Sequence, residues 1–200
     1  MQPFTTHTGL AVPLVKQNID TDQLIPKQFL KRIERTGYGE FLFFDWRKRS
    51  GGSPDPDFPL NQPRFAEASI LIAGRNFGCG SSREHAVWAL TDHGFRAVVA
   101  PSFADIFTSN AAKNGLLTIP LDQTLIEQLA DRADSAKGLR LTISLEDCTI
   151  AEGKTKLATF EMDPFRRRCF LEGLDDIGLT LQHEPDITAY EQKQRRYATA

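Results

Sequence analysis

Chemistry-bearing side chains crowd residues 74–90, GRNFGCGSSREHAVWAL, where three glycines, Cys79, Ser81, Ser82, Arg83, Glu84 and His85 precede an apolar run. A strand-like segment at 69–73 comes before them and a helical pattern after, so the order is strand, glycine loop, helix N-terminus. That order suits anion binding. The first helical turn presents free N–H groups, the helix dipole adds positive potential, and glycines let a ligand approach the backbone closely. Arg83 points the same way. A cation in a first helical turn sits at the unfavourable end of the dipole, which implies a guest anion, and a guanidinium grips a carboxylate through two parallel hydrogen bonds. Three familiar loops fail on spacing. A P-loop needs Lys where Ser81 and Ser82 follow Gly80, a dinucleotide fingerprint needs a third glycine where Arg83 stands, and a nucleophile elbow needs a glycine two residues past its serine. Nucleotide binding and ordinary serine hydrolysis are therefore disfavoured.

Each residue also has a plainer use. Ser81-x-x-Glu84 reads as a capping box, with the hydroxyl bonding the N–H of residue 84, a cap worth ~0.5–2 kcal/mol. Cys79 lies beside a helix N-terminus, which could lower its pKa, but no His–Asn/Asp partner is assignable, so it reads as structural or as lining the site. His85 reads as a helix residue bonding locally. Asp20 and Asp22 read as turn residues capping nearby amides, and the arginines at 166–168 as a solvated face or a subunit contact.

The elements that must position this loop alternate. Strands are expected at 9–15, 69–73, 97–100 and within LLTIP. Helices are expected at 82–93, ending at Gly94, at FADIFTSNAAKNG, at LDQTLIEQLADRAD with its 3.6-residue period, and at PFRRRCFLEG and ITAYEQKQRRYA. LRLTISLED and TKLATFEM alternate as strands around a turn at 152–153. Residues 27–46 begin like a helix and break at Gly37 and Gly39, and the Pro- and Gly-rich residues at about 50–64 must be a surface loop. The pattern predicts a mixed α/β fold, a central sheet with surrounding helices, and 200 residues suit one domain, 1–200. A net charge of −2 gives no electrostatic case for nucleic acid or an anionic membrane. The apolar runs are too short to span a bilayer, and the N-terminus lacks a signal-peptide pattern, so a cytoplasmic location is expected. The 3 cysteines form no disulfide framework. By spacing, Cys and His complete no metal or iron–sulfur site in this chain.

GRNFGCGSSREHAVWAL, with QNIDTDQLIPKQF upstream, APSFADIF downstream, FDWR near residue 45, WALTDHGF and the tail GLDDIGLTLQHEPDITAYE, resembles the small subunits of 3-isopropylmalate dehydratase, swivelling domains of the aconitase superfamily, over essentially the whole chain. The resemblance implies a β/β/α swivelling fold and a hydro-lyase of leucine biosynthesis, in which 2-isopropylmalate becomes 3-isopropylmalate through 2-isopropylmaleate. It implies a large subunit carrying a 4Fe–4S cluster, with no cofactor in this chain and a small dicarboxylate as substrate. It makes Ser81 the catalytic base, probed by Ser81→Ala, with Ser82 and Arg83 binding substrate carboxylate and the loop amides around Gly80 assisting. That role competes with the capping reading, since a hydroxyl spent on residue 84 is not free to act as a base.

The resemblance also makes residues 29–44 a substrate-selecting loop, in which Leu30, Ile33 and Tyr38 would form an apolar surface for an isopropyl group and Arg32 and Arg35 would meet a carboxylate. A solvated basic helix end is the plainer account of the same residues. Two alternatives stay open: a non-catalytic anion-binding module, separated by partner dependence, and a related hydro-lyase subunit acting on citraconate or homoaconitate, separated by a substrate panel.

Overall fold

The structure, a computed structural model, describes residues 1–31, 34 and 36–198. Its frame is a seven-stranded sheet in the order β4-β3-β2-β1-β5-β6-β7. The strands are β1 (Thr6–Leu14), β2 (Ala68–Ala73), β3 (Ala97–Ala100), β4 (Leu117–Pro120), β5 (Arg140–Ser144), β6 (Thr149–Glu152) and β7 (Thr155–Thr159). β1 to β4 run parallel, and β5 joins the other edge of β1 antiparallel, opening a meander through β6 and β7. Strands covered on both faces read as unbroken apolar runs, as ASILIA and AVVA do.

The helices are α1 (Thr21–Leu24), α2 (Glu84–His93), α3 (Asp105–Lys113), α4 (Gln123–Asp134), α5 (Pro164–Glu172), α6 (Asp176–Leu181) and α7 (Glu184–Ala198). The period-2 alternation of the strands sorts their side chains into two cores. Leu71, Val98 and Ala100 pack with Val87 and Leu90 of α2 and Phe107 of α3. Ile70, Ile72 and Val99 pack with Ile126 and Leu129 of α4. Helices on both faces leave the carboxyl ends of the parallel strands as the place where loops meet, the usual position of a ligand site in such sheets.

The mixed α/β expectation agrees with this architecture, and three local expectations are corrected. The described residues of 27–46 form no α-helix: 3-10 turns cover Lys27–Lys31 and Gly39–Phe41, and Gly37 and Phe43 take left-handed conformations at φ +84 and +52 that a helix cannot contain. The proline-rich segment is exposed over most of 50–57, as expected of a surface loop, but Phe58 and Leu60 anchor its second half in the core. The expected single hairpin is a three-stranded meander, since Cys148 turns the chain at φ +50 and frees Thr149–Glu152 to pair on both edges.

Candidate active site

The glycine loop after β2 is held between two neighbours. On one side it meets the loop after β1: Asn18 N–H donates to the Arg75 carbonyl at 2.8 Å, Gly78 N–H to Ile19 at 2.8 Å and Thr21 N–H to Cys79 at 2.9 Å. Gly74 lets the two backbones touch, for a Cβ there would lie 2.4 Å from the Lys16 carbonyl oxygen. On the other side, the loop after β3 accepts from Phe77 N–H at Ser102 (3.1 Å) and donates to Phe77 from Ala104 N–H (3.0 Å). Gly78, at φ +75, turns the loop under the Phe107 ring.

This zipping decides where α2 starts. The helix begins at Glu84, its N-cap is Arg83, and no side chain caps it. The expected capping box is therefore not formed. Ser81 lies two residues before the N-cap, and its carbonyl accepts instead, from the Thr21 hydroxyl at 3.0 Å and from Arg83 N–H at 2.8 Å. The Glu84 carboxylate accepts from Asn114 Nδ2 at 2.9 Å, and Asn114 Oδ1 accepts from the Trp88 indole at 3.0 Å. Among the described residues, Ser81 and Ser82 donate no side-chain hydrogen bond, and both are exposed. The Arg83 side chain is only 12% exposed, and its Nη1 pairs with Asp22 Oδ1. Lys27 Nζ stands 3.9 Å from the other oxygen of that carboxylate. Asp20 does what a turn aspartate should: its carboxylate caps Gln23 N–H at 2.8 Å while the Gln23 side chain accepts from Asp20 N–H at 2.9 Å. Asp22 is more than a turn residue, because it holds the guanidinium of the glycine-loop motif.

Ser81, Ser82, Arg83, Gly80 and Thr21 wall a pocket of about 220 Å³, closed opposite by the first turn of α3 and Asn110. The N-cap of α3, Ala104, also offers no capping side chain. Two helix N-termini without side-chain caps thus flank one small cavity, whose lining also carries Arg83, paired with Asp22, and the Asp105 carboxylate; the helix ends and the guanidinium favour an anion there, and the two carboxylates oppose it. Cys79 does not behave as a low-pKa thiol. Burial, with Asp20 beside it, pushes its pKa up, against the expectation from its place near a helix start. His85 packs its ring against Tyr38 at 5.4 Å and Trp88 at 4.7 Å, and burial above all lowers its pKa, which favours the neutral imidazole. Among the described residues no group of three or more His, Cys, Asp or Glu is placed to hold a metal ion. Among the described residues no helix is long and apolar enough to cross a membrane.

Residues 1–124 match the aconitase C-terminal domain, and residues 176–198 match the C-terminal domain of the 3-isopropylmalate dehydratase small subunit. The chain is 57% identical over 191 residues to the 3-isopropylmalate dehydratase small subunit of Koribacter versatilis, covering 96% of this chain and 98% of that one. It is 54% identical to that of Bacillus pumilus over 200 residues, the whole of both. The chain belongs to the 3-isopropylmalate dehydratase small-subunit family. The crystal structure of 3-isopropylmalate dehydratase from Methanocaldococcus jannaschii matches with a TM-score of 0.62 at 28% identity, over 93% of this chain and 99% of that one. The swivelling α/β fold implied by the resemblance agrees with both the structural neighbour and the family model. A dehydratase is a hydro-lyase, so the family is one of enzyme subunits.

Within the loop that this family resemblance marks as substrate-selecting, the described residues correct one expectation. Tyr38 is fully buried, with Trp88 and His85 of α2 against its ring, so it anchors the loop and cannot line a substrate surface. Leu30 is half-buried and packs on the same core. Arg32, Ile33 and Arg35 lie outside the described residues. Sequence reading missed the base of the loop, where Phe29 stacks on Phe41 at 4.1 Å and meets Phe44 edge-on at 4.8 Å. The signal was present in the density of phenylalanines at 41–44. In the basic run, Arg167 donates to the carbonyls of Leu145 and Glu146 and so ties α5 to the sheet, while Arg168 makes an exposed pair with Glu172 within α5.

Proposed function

We propose that this chain, one swivelling domain over residues 1–200, supplies half of a split active site that isomerises 2-isopropylmalate to 3-isopropylmalate through 2-isopropylmaleate in leucine biosynthesis, and acts only with an iron–sulfur large subunit. The carrying observation is the Ser81 pocket: exposed serines between two helix N-termini without side-chain caps, with a guanidinium held in place by Asp22. The reaction removes a proton beside a carboxylate and expels hydroxide. Hydroxide is a poor leaving group, and the Lewis acid that eases its departure is assigned to the large subunit's cluster.

The chain's own residues do the rest. Ser81 takes the proton and later returns it. A serine hydroxyl is a weak acid, so a basic serine requires strong positive surroundings, which the helix ends, the amides near Gly80 and Arg83 supply. Ser82 and Arg83 bind a substrate carboxylate, and Asp22 keeps Arg83 in register for it. Leu30, Ile33, Arg32 and Arg35 belong to the loop that discriminates among groups on the malate carbon. The test is turnover of 2-isopropylmalate by this chain alone and mixed anaerobically with the cluster-loaded large subunit, following the unsaturated intermediate by ultraviolet absorbance. Activity only in the mixture is expected. Activity of the chain alone, or none in either, overturns the proposal.

A further inference from the structure

Among the described residues, every strongly exposed large apolar side chain except Val15 lies on α3, α5, α6 or α7. Phe165 on α5 is 57% exposed, and Ile177 and Leu181 on α6 are 71% and 57% exposed. Ile177 and Leu181 stand one turn apart on a single helix face, as do Ile187 and Tyr190 on α7. Soluble proteins seldom leave such a run of apolar surface uncovered. Beside it, α3, α5 and α6 enclose a groove of about 180 Å³ lined by Phe165, Cys169, Leu174 and Leu179. The groove is held open by fixed contacts rather than by chance. Lys113 on α3 pairs with Asp176 on α6 at 2.8 Å, and the Met1 ammonium ties Gly173 and Asp175 together at 3.0 and 3.1 Å.

The groove and the Ser81 pocket lie along one helix. Helix α3 walls both: Ile106 and Asn110 face the pocket, and Ser109 and Lys113 face the groove, and residues three and four apart on a helix are neighbours. A chain seated over Ser81 therefore meets the apolar surface along the same helix. A second observation points to the same occupant. The aconitase-type match, residues 1–124, contains the whole pocket, whereas α6 and α7 fall in a separate match, 176–198, to a module of the small subunit. A subunit held only by noncovalent contact must bury apolar area against its partner.

We propose that the α3–α5–α6 groove and the apolar faces of α6 and α7 form the docking surface for the large subunit, extending from the mouth of the Ser81 pocket. This rests on the split-site reading. The experiment uses the full chain carrying Ile177→Glu and Leu181→Glu together, and in a second variant Ile187→Glu and Tyr190→Glu. These positions are exposed, so folding should be preserved, and circular dichroism checks it. Each variant is titrated into the large subunit by calorimetry and assayed for turnover across large-subunit concentrations, with Ser81→Ala as a parallel control. The expected result is binding weakened at least tenfold in the α6 variant, with turnover restored at saturating large subunit, while Ser81→Ala binds normally and does not turn over. Unchanged affinity in both folded variants overturns the docking surface and leaves the split site standing. Light scattering that shows wild-type self-association, lost in the variants while large-subunit affinity is kept, assigns the surface to a second copy and also overturns it. Loss of Ser81→Ala turnover together with normal docking of every variant separates the two readings.

Discussion

Gly78→Ala tests the geometry that seats the glycine loop. The substitution faces two penalties that other glycines of the chain allow to be separated. Gly78 has φ +75, where an L side chain costs about 1–2 kcal/mol. A Cβ there would also lie 2.2 Å from Phe107 Cγ, 2.5 Å from Cδ2 and 2.7 Å from Cβ. The ring cannot step aside cheaply, since Phe107 is 3% exposed and packs edge-on against Phe77 at 5.3 Å. Overpacking of this kind costs about 1–3 kcal/mol. The sum is about 2–5 kcal/mol, or a fall in Tm of about 4–20 °C at roughly 2–4 °C per kcal/mol for a chain of this size. Gly94, at φ +110 with nothing within 4 Å of its Cβ position, carries the first penalty alone. Gly94→Ala should lose about 1–2 kcal/mol. Thermal and urea unfolding of both variants decide the matter. Phe107→Ala combined with Gly78→Ala should lose less than the two single changes added, because the pair is in contact. If Gly78→Ala costs no more than Gly94→Ala, the close packing of Phe107 on the loop is wrong. Because Phe107 also walls the Ser81 pocket, kcat/KM of the assembled enzyme should fall with stability in Gly78→Ala and not in Gly94→Ala.

Ser81→Ala should lower turnover roughly 10²–10⁴-fold, the contribution of a positioned base, while leaving Tm within about the change produced by 0.5 kcal/mol, as expected of an exposed residue without a structural bond. Near-normal turnover would remove Ser81 as the base, and a drop of about 1 kcal/mol in stability would restore the capping role. Asp22→Asn should cost up to roughly 10²-fold in kcat/KM by releasing Arg83 from its register, and steady-state kinetics equal to wild type would show that the pair is not used. His7, His85 and His93 all have pKa values lowered from 6.5, chiefly by burial. The unfolded chain then binds more protons than the folded one, so their stabilising effect is complete above pH 6.5 and is lost as pH falls through the lowered folded values. His93→Gln should flatten the decline in unfolding free energy as pH falls below 6.5, and an unaltered slope would place the effect elsewhere.

Legibility in the sequence followed physical range. ASILIA, AVVA and the 3.6-residue period at 123–134 are local signals, and they became β2, β3 and α4. The order of strand, glycine loop and helix was legible because local composition signals each part. Less legible were features set by contacts between distant segments. Arg83 and Asp22 are 61 residues apart, and neither carries a mark of the other. Tyr38 looked like a loop side chain, yet Trp88 and His85 supply it with a buried seat on α2. Thr149–Glu152 was hidden because Cys148 takes a left-handed conformation that its residue type does not advertise.

The Ser81 conflict shows how a correct local pattern can yield to tertiary structure. S-x-x-E satisfies the capping box only if the helix starts one residue after the serine. Here Thr21 reaches across from the loop after β1 and takes the Ser81 carbonyl, fixing residue 81 outside the helix. Asn114 draws the Glu84 carboxylate away from any return bond. The cost is a helix N-terminus without its cap, about 1 kcal/mol by the usual measure. What is gained is a Ser81 hydroxyl at the wall of the pocket that donates no hydrogen bond among the described residues. Thr21, Asp22 and Asn114 thus perform the structural work that Ser81, Arg83 and Glu84 would otherwise do for themselves. Moving that work to neighbours leaves Ser81 and Arg83 available to a substrate.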